Sequence, residues 1–349
     1  MAASTLRLSR PLLELRAEPE NDKNLEETVK RLALLLSTIA MVGFSAAAHA
    51  QTVIKAGHGA QAGHPTQFGL VKFGELVAAK TGGKVKVEVY PDRQLGEERE
   101  MVEGLQLGTV DMAVVSTGPL NAFVPQIGVI DLPFLFKDSQ HAYKVLDGEV
   151  GQDLLKRMDQ KGIVGLAWWE NGWRHLTTKK SIKAPDDLKG VKLRTMQNPV
   201  HIAAFKQIGA APIPMAWGEV FTSLGQGVID AQENPVTIIY TNSLWEVQKY
   251  LTLTGHVYGP HAVMFSKAAF DRLPADQQKA IREAVAEATT YQRETSQRLE
   301  KEQLEELKKK GMVVETIDTA PFRAATAEIA SSQKNVDQAM LEKIRAAGN

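Results

Sequence analysis

The clearest periodicity in the chain is the strict apolar–polar alternation of Lys84–Tyr90 (KVKVEVY), the signature of a strand with one buried face. Around it the period changes. Val53–Ala56 reads as a short strand that runs into a glycine-rich loop. Pro65 then opens a helix to about Lys80, with Phe68, Val71, Leu76 and Val77 as apolar positions and Gly82-Gly83 as its stop. Gly96–Leu107 reads as a helix and Asp111–Ser116 as a strand. This β-α-β-α-β order predicts a parallel sheet with right-handed crossovers. Ligands in such sheets bind outside the C-terminal ends of the strands, where His58, Glu98, Ser116 and Thr117 fall.

Val129–Phe136 is apolar but contains Pro133, so it reads as a buried connector or an edge. Helices follow at Ser139–Leu146 and Val150–Lys161, then a buried strand at Ile163–Trp169. From Glu170 a second α/β unit begins. Its expected strands are Val191–Met196, Pro212–Met215, Val228–Ala231, Tyr250–Thr254 and His261–Phe265. Its expected helices are Asn198–Ile208, Gly218–Leu224 and Val236–Trp245, with a helical turn at Asp186–Gly190. Pro274–Lys310 has no proline after its first position and no glycine, and Ile281, Val285, Ala288, Tyr291 and Leu299 recur at helical spacing. A helix of roughly 36 residues spans about 54 Å, more than the diameter of one ordinary domain. It should cross two lobes or project as a coiled coil. Met312–Ile317 reads as a last strand and Pro321–Ala346 as a terminal helix.

The length of 349 residues suggests two domains. Lys+Arg (41) equals Asp+Glu (41), so net charge gives no case for nucleic acid. The absence of cysteine excludes disulfides, thiolate catalysis and thiolate metal sites. At the N-terminus, Lys30-Arg31 precede an apolar run, Leu32–Phe44, and small residues ending Ala48-His49-Ala50. This is the pattern of a secretory signal peptide with cleavage after Ala50, and the run is too short for a membrane span. The acidic segment ahead of it is foreign to an export signal, so translation is expected to begin at Val29. Residues 1–50 thus read as an N-terminal extension plus signal peptide.

Candidate chemistry concentrates between Glu170 and Pro235. Arg194 ends an expected strand just before the helix signals Asn198 and Pro199. There a guanidinium can grip both oxygens of a carboxylate, and a helix N-terminus can add N–H groups. Arg174 follows Trp173, which could stack on it. Trp217 could cap a pocket or fill a core, and Asn234 could bind a ligand or satisfy its own turn. Met196 and Asn198 flank Arg194. Trp168-Trp169 read as core and pocket wall. Enzyme signals are poor: the sequence has no HExxH, no GxSxG elbow, no P-loop and no GxGxxG. Neither a cofactor nor a metal is implied, and the chain reads as a binding protein rather than an enzyme.

Several long segments occur together and in order: YPDRQLGEER (90–99), GTVDMAV (108–114), LPFLF (132–136), ENGWRHLT (170–177), DLKGVKLRTMQNP (187–199), PIPMAWGEVF (212–221) and GVIDAQENP (227–235). With them the chain resembles, from Val53 to its end, the DctP-type substrate-binding proteins of tripartite ATP-independent periplasmic (TRAP) transporters. The resemblance implies an α/β protein of two lobes with a central ligand cleft and a long helix bridging both. One lobe would comprise 51–171 with 260–299, the other 172–259 with 300–349. It implies periplasmic capture of a small organic acid, by hinge closure, for small and large membrane subunits of a permease. The protein would act as a monomer, without nucleic acid. Arg194 would make the main carboxylate salt bridge, with Arg174, Trp217, Asn234 and Glu98 lining the site. Ser116 stands where sialic-acid binders use an acidic residue, which argues against that ligand. The segments around 169–174 and 229–233 resemble sugar-acid binders. A sugar acid or other monocarboxylate is therefore expected, with a C4-dicarboxylate as the alternative and His58 or Arg174 as its second cation. A module presenting the same ligand to a sensor receptor is the other alternative.

Overall fold

Two strands longer than any that the hydrophobic pattern marks organise the sheet of this computed structural model, which describes residues 26–32 and 51–348. They are β4 (Ile163–Thr178) and β8 (Tyr250–Ser266), of 16 and 17 residues. They pair antiparallel from end to end, with register shifts at Gly165/Ala167, Glu170/Gly172 and Arg174/Leu176. At one end, β8 pairs with β3 (Met112–Ser116), and the parallel strands β1 (Thr52–His58) and β2 (Val85–Tyr90) continue outward in the order β3-β1-β2. At the other end, β4 pairs with β7 (Ala231–Asn234), and β5 (Lys192–Thr195) and β6 (Ala211–Pro214) continue outward in parallel. There β9 (Val313–Thr316) pairs with β8.

The sequence divides β4 and β8 because Gly172, Gly255 and Gly259-Pro260 look like breaks. In the fold they are irregular steps inside continuous strands. Gly172 has φ +121°, a conformation that side chains disfavour, and a Cβ there would lie 3.2 Å from Pro235 Cβ. The other difference of strand position is β7, expected at Val228–Ala231. Its true residues Gln232, Glu233 and Asn234 are polar but buried. Gln232 donates to Thr177 and Glu233 accepts from Arg174, both on β4, while Asn234 donates to Gln232, so no apolar pattern marks the strand.

Each end of the sheet is covered on both faces. At the first end, α1 (Pro65–Lys80) packs Leu70, Phe73 and Val77 beside Ile54, Val85 and Phe265. The other face carries α2 (Glu98–Leu107), α3 (Ser139–Asp147) and α4 (Glu149–Arg157). At the second end, α5 (Pro199–Gln207) closes one face through Phe205 over Leu176 and Leu193. On the other face α6 (Val220–Gln226) and α7 (Val236–Thr241) bury Val220, Leu224, Val236 and Ile239.

The long helix is α8, Ala275–Lys309, of 35 residues. Its Ile281, Ala284, Val285 and Ala288 lie in the first-end core, and Leu307 in the second-end core. It therefore spans both ends rather than projecting as a coiled coil. Midway, Gln292 brackets the crossing strand. Its Oε1 accepts from Glu170 N–H at 2.9 Å and its Nε2 donates to Glu170 C=O at 2.6 Å. The C-terminal segment differs from the single expected helix. Short helices at Ala320–Ala325 and Ile329–Ser332 precede α9 (Gln338–Ala347), which Asp337 restarts by capping the amides of Ala339 and Met340. Leu341 and Ile344 of α9 return to the first-end core, whereas residues 300–349 were all expected with the second lobe.

Residues 26–32 are helical, with a Glu26–Lys30 ion pair at 3.6 Å. The rest of the expected export signal and its cleavage point lie outside the described residues. Among the described residues no helix is long and apolar enough to cross a membrane.

Candidate functional site

The strand ends of both halves converge on one cavity. From the first end come Gly59 and Ala60 after β1, Glu98 at the start of α2, and Ser116 at the end of β3. The crossing strands supply Asn171 and His261. The second end supplies Arg194 and Met196 around β5, Trp217, Asn234 at the end of β7, and Ile238. The cavity volume is about 40 Å³. It shares Glu98, Arg194, Met196 and Trp217 with an adjoining opening of about 250 Å³, which Glu97, Arg99 and Gln197 also line.

Arg194 is buried on β5, at 4% exposure. Its Nε and one terminal nitrogen both donate to the Met215 carbonyl, at 3.0 and 2.8 Å. The guanidinium lies 5.4 Å from the Trp217 ring centroid, within cation–π range. Among the described residues no carboxylate lies within 4.0 Å of it, so its remaining N–H groups have no anionic partner. Burial lowers its pKa to about 10, which leaves it cationic at neutral pH. A buried cation with a half-used donor fork is complementary to a carboxylate.

The opposite wall is built from hydroxyl-scale groups. Glu98 Oε1 accepts from both the Ser116 amide (2.8 Å) and the Ser116 hydroxyl (2.9 Å). Its other oxygen has no protein donor among the described residues. Burial raises the Glu98 pKa against the hydrogen bonds from Ser116. His261 contacts Thr66 Oγ1 at 3.0 Å and Ser116 Oγ at 3.4 Å. Burial, with His58 and Arg174 adding to it, pulls His261 down to about 3, so this imidazole is neutral. Asn234 donates to Gln232 Oε1 at 2.6 Å. Asn171 Oδ1 is buried without a hydrogen-bond partner.

The cavity thus brings together Arg194, Met196, Trp217, Asn234, Glu98 and Ser116 of the expected set. Three others lie off it. Arg174 is 1% exposed and forks onto Glu233, through its Nε and through a terminal nitrogen at 2.7 Å from Oε1. Burial pushes the Glu233 pKa up, but Arg174 and the His256 hydrogen bond at 3.1 Å outweigh it and hold the carboxylate ionised. The charge of Arg174 is therefore compensated inside the protein. Trp173 does not stack on it but meets Tyr258 edge-on at 5.4 Å and donates to Ser139. His58 is buried against Gln67 at 2.8 Å, and burial lowers its pKa. Asn198 caps α5, accepting from the Val200 and His201 amides, and donates to Asp131 at 2.7 Å. The α5 N–H groups expected to meet a ligand are thus taken by this cap. Trp168 and Trp169 are both core, donating to Gly151 C=O and Thr289 Oγ1.

Asn171, His261 and Ile238 were not singled out from the sequence. Asn171 lies in the gap that the pattern leaves after Ile163–Trp169, whereas His261 opens the expected strand His261–Phe265, where nothing in the pattern marks it as a site residue. The sole available signal was their place beside Gly172 and Pro260.

A sequence profile described as bacterial extracellular solute-binding protein, family 7, matches residues 56–335. The chain is 41% identical over 256 residues to the 2,3-diketo-L-gulonate-binding periplasmic protein of Escherichia coli, covering 73% of this chain and 78% of that one. It is 37% identical over 318 residues to the C4-dicarboxylate-binding periplasmic protein of Rhodobacter capsulatus, covering 90% and 94%. Among solved structures, a TRAP periplasmic solute-binding protein from Polaromonas sp. JS666 bound to D-erythronate superposes with a TM-score of 0.82 at 43% identity, over 84% of this chain and 98% of that one. With its two-ended α/β sheet, its bridging helix and its cleft, the chain belongs to family 7 of the bacterial extracellular solute-binding proteins, the DctP family of TRAP transporters.

Proposed function

We propose that this protein captures a polyhydroxy monocarboxylate, a sugar acid, in the cavity beside Arg194 and presents it to a TRAP permease. The observation that carries the reading is Arg194 itself: a buried cation on the cavity wall with a backbone carbonyl as its acceptor and no carboxylate. The far wall favours hydroxyl groups over a second carboxylate. Glu98 offers an unfilled acceptor oxygen, and Ser116 and neutral His261 stand beside it. Among the described residues lining the inner cavity, Arg194 is the one guanidinium or ammonium. A second carboxylate there would meet Glu98 rather than a cation. The diketogulonate- and erythronate-binding relatives point the same way.

A C4-dicarboxylate is the second reading, supported by the Rhodobacter capsulatus relative and by Arg99 on the adjoining opening. Arg99, however, already pairs with Glu103 at 3.1 Å.

The lobes divide at 171/172 and 259/260. This division is supported by the Glu170/Gly172 register shift between the crossing strands and by the positive φ at Gly172. Bending there would close the lobes on the ligand and shift an existing open–closed equilibrium. The chain reaches the periplasm through a signal peptide cleaved after Ala50. There it works as a monomer with the small and large membrane subunits, as a binding protein and not as a catalyst.

Calorimetric titration of Arg194→Ala tests the anchor. Losing one partner of a buried charge pair costs about 2–5 kcal/mol, or about 30- to 4,000-fold in affinity. Retained affinity in a folded variant would remove Arg194 from the site.

A further inference from the structure

The cavity wall made by Trp217 is held in place from the other side of the cleft. Trp217 opens a short helical turn, Trp217–Glu219, whose next residue is Gly218. The Gly218 amide donates to Glu97 Oε1 at 3.2 Å, a bond between residues 121 positions apart. Glu97 immediately precedes Glu98, which lines the opposite wall of the same cavity. One hydrogen bond therefore ties the turn carrying Glu98 to the turn carrying Trp217.

The acceptor is itself fixed. Arg93 Nε stands 3.4 Å from Glu97 Oε1, and its NH1 donates to Gly59 C=O at 3.3 Å. Arg93 and its neighbour Asp92 both have positive φ, +61° and +50°. Non-glycine residues hold that conformation when surrounding bonds impose it. Here the Asp92 amide donates to Ala60 C=O at 2.8 Å and the Arg93 amide to His58 C=O at 3.2 Å. The loop after β2 is thus tied to the end of β1, and Arg93 is aimed across at Gly218. Gly218 leaves room for this approach: a Cβ there would collide with Glu97 Oε1 and lie 3.5 Å from Arg93 Nε.

We infer that Glu97, steadied by Arg93, is a positioning residue for ligand binding: it latches the Gly218 amide and so holds Trp217 over the carboxylate site. Glu97 does not line the inner cavity and acts through Trp217. The inference rests on the carboxylate reading above. It assigns the latch a kinetic consequence. Encounter with the ligand is unchanged, and escape is slowed because the latch must open before Trp217 can move away.

The test is a double-mutant cycle on residues 51–349 with Glu97→Ala and Gly218→Ala. Affinity and release rate are read by calorimetry and stopped flow. The probe is whichever of D-erythronate, galactonate, D-glucuronate, pantoate and succinate the wild type binds most tightly. Glu97→Ala is expected to weaken binding about 3- to 10-fold, the span of one net hydrogen bond, with the change in the release rate. The ligand-free protein should still unfold as one cooperative unit, because α2 keeps the bond from the residue 97 amide to Glu100 at 2.9 Å. Glu97→Gln retains an acceptor oxygen and should restore affinity to within about 2-fold of wild type. Gly218→Ala should weaken wild type similarly but add nothing in the Glu97→Ala background. Unchanged release from Glu97→Ala, or fully additive losses, would overturn the latch alone. Wild type binding none of the five acids would overturn the carboxylate reading and the latch with it.

Discussion

Arg174 and Arg194 are both buried guanidiniums, yet Glu233 compensates the first while the second has only the Met215 carbonyl. The sequence marks both as candidates, since residue type and neighbouring turn signals are visible in it. Which one is spent inside the protein depends on Glu233, a residue in a strand that the hydrophobic pattern misplaced. The two substitutions should therefore differ in kind. Arg174→Ala strands a buried carboxylate and should lower stability by about 3–5 kcal/mol, read by denaturant unfolding of ligand-free protein. A stability loss under about 1 kcal/mol would refute that compensation. Asp131 gives a pH signature. It is buried and accepts from Thr117, Asn121 and Asn198, and burial raises its pKa to about 6 against those hydrogen bonds. Between about pH 4 and 6 the folded protein keeps a proton that the unfolded chain has released. The stability from Asp131 is therefore complete below about pH 4 and declines as pH rises to about 6, by roughly 3 kcal/mol. Unfolding of Asp131→Asn across that range should lack this decline, and an identical slope in both proteins would contradict it.

At the scale of elements, the helices with apolar periodicity and proline starts were legible. Pro65–Lys80 matches its expected span, and α8 differs by one residue at each end. The crossing strands were legible only in pieces. Their central residues, Glu170–Arg174 and Val257–Pro260, combine glycine, proline and buried polar groups. Local rules assign such residues to loops. What makes them strand is long-range: β4 and β8 pair with each other, and Gln292 of α8 clasps the Glu170 peptide. Gly172 is where this compromise is most exposed. Gly172→Ala must adopt φ +121° and bring its Cβ to 3.2 Å from Pro235. It should cost about 1–3 kcal/mol in thermal unfolding and also weaken ligand binding by biasing the relative angle of the lobes. Wild-type stability and affinity together would exclude Gly172 as a bending point.

For the whole molecule, the order of the long motifs made the two-lobed architecture legible before any local element was certain. The cavity was half legible. Arg194, Trp217, Asn234, Glu98 and Ser116 could be named from their motifs, whereas His261 and Asn171 needed the crossing strands to bring them in. Together these residues give the site its chemical bias: among the described residues, a guanidinium with no carboxylate partner at one wall and hydroxyl-compatible groups at the other. The most direct measurement is the thermal unfolding of residues 51–349, stripped of bound ligand, against matched acids. Aldonates and uronates would be set beside C4-dicarboxylates, 2-oxo acids and aromatic acids. A true ligand at 100 times its Kd adds about 2.7 kcal/mol, a rise of roughly 5–10 °C. The expected result is such a rise with an aldonate or uronate, little with succinate, and none with either in Arg194→Ala. A rise with succinate that exceeds every polyhydroxy acid would contradict the reading of the far wall. A full rise in Arg194→Ala would contradict the anchor itself.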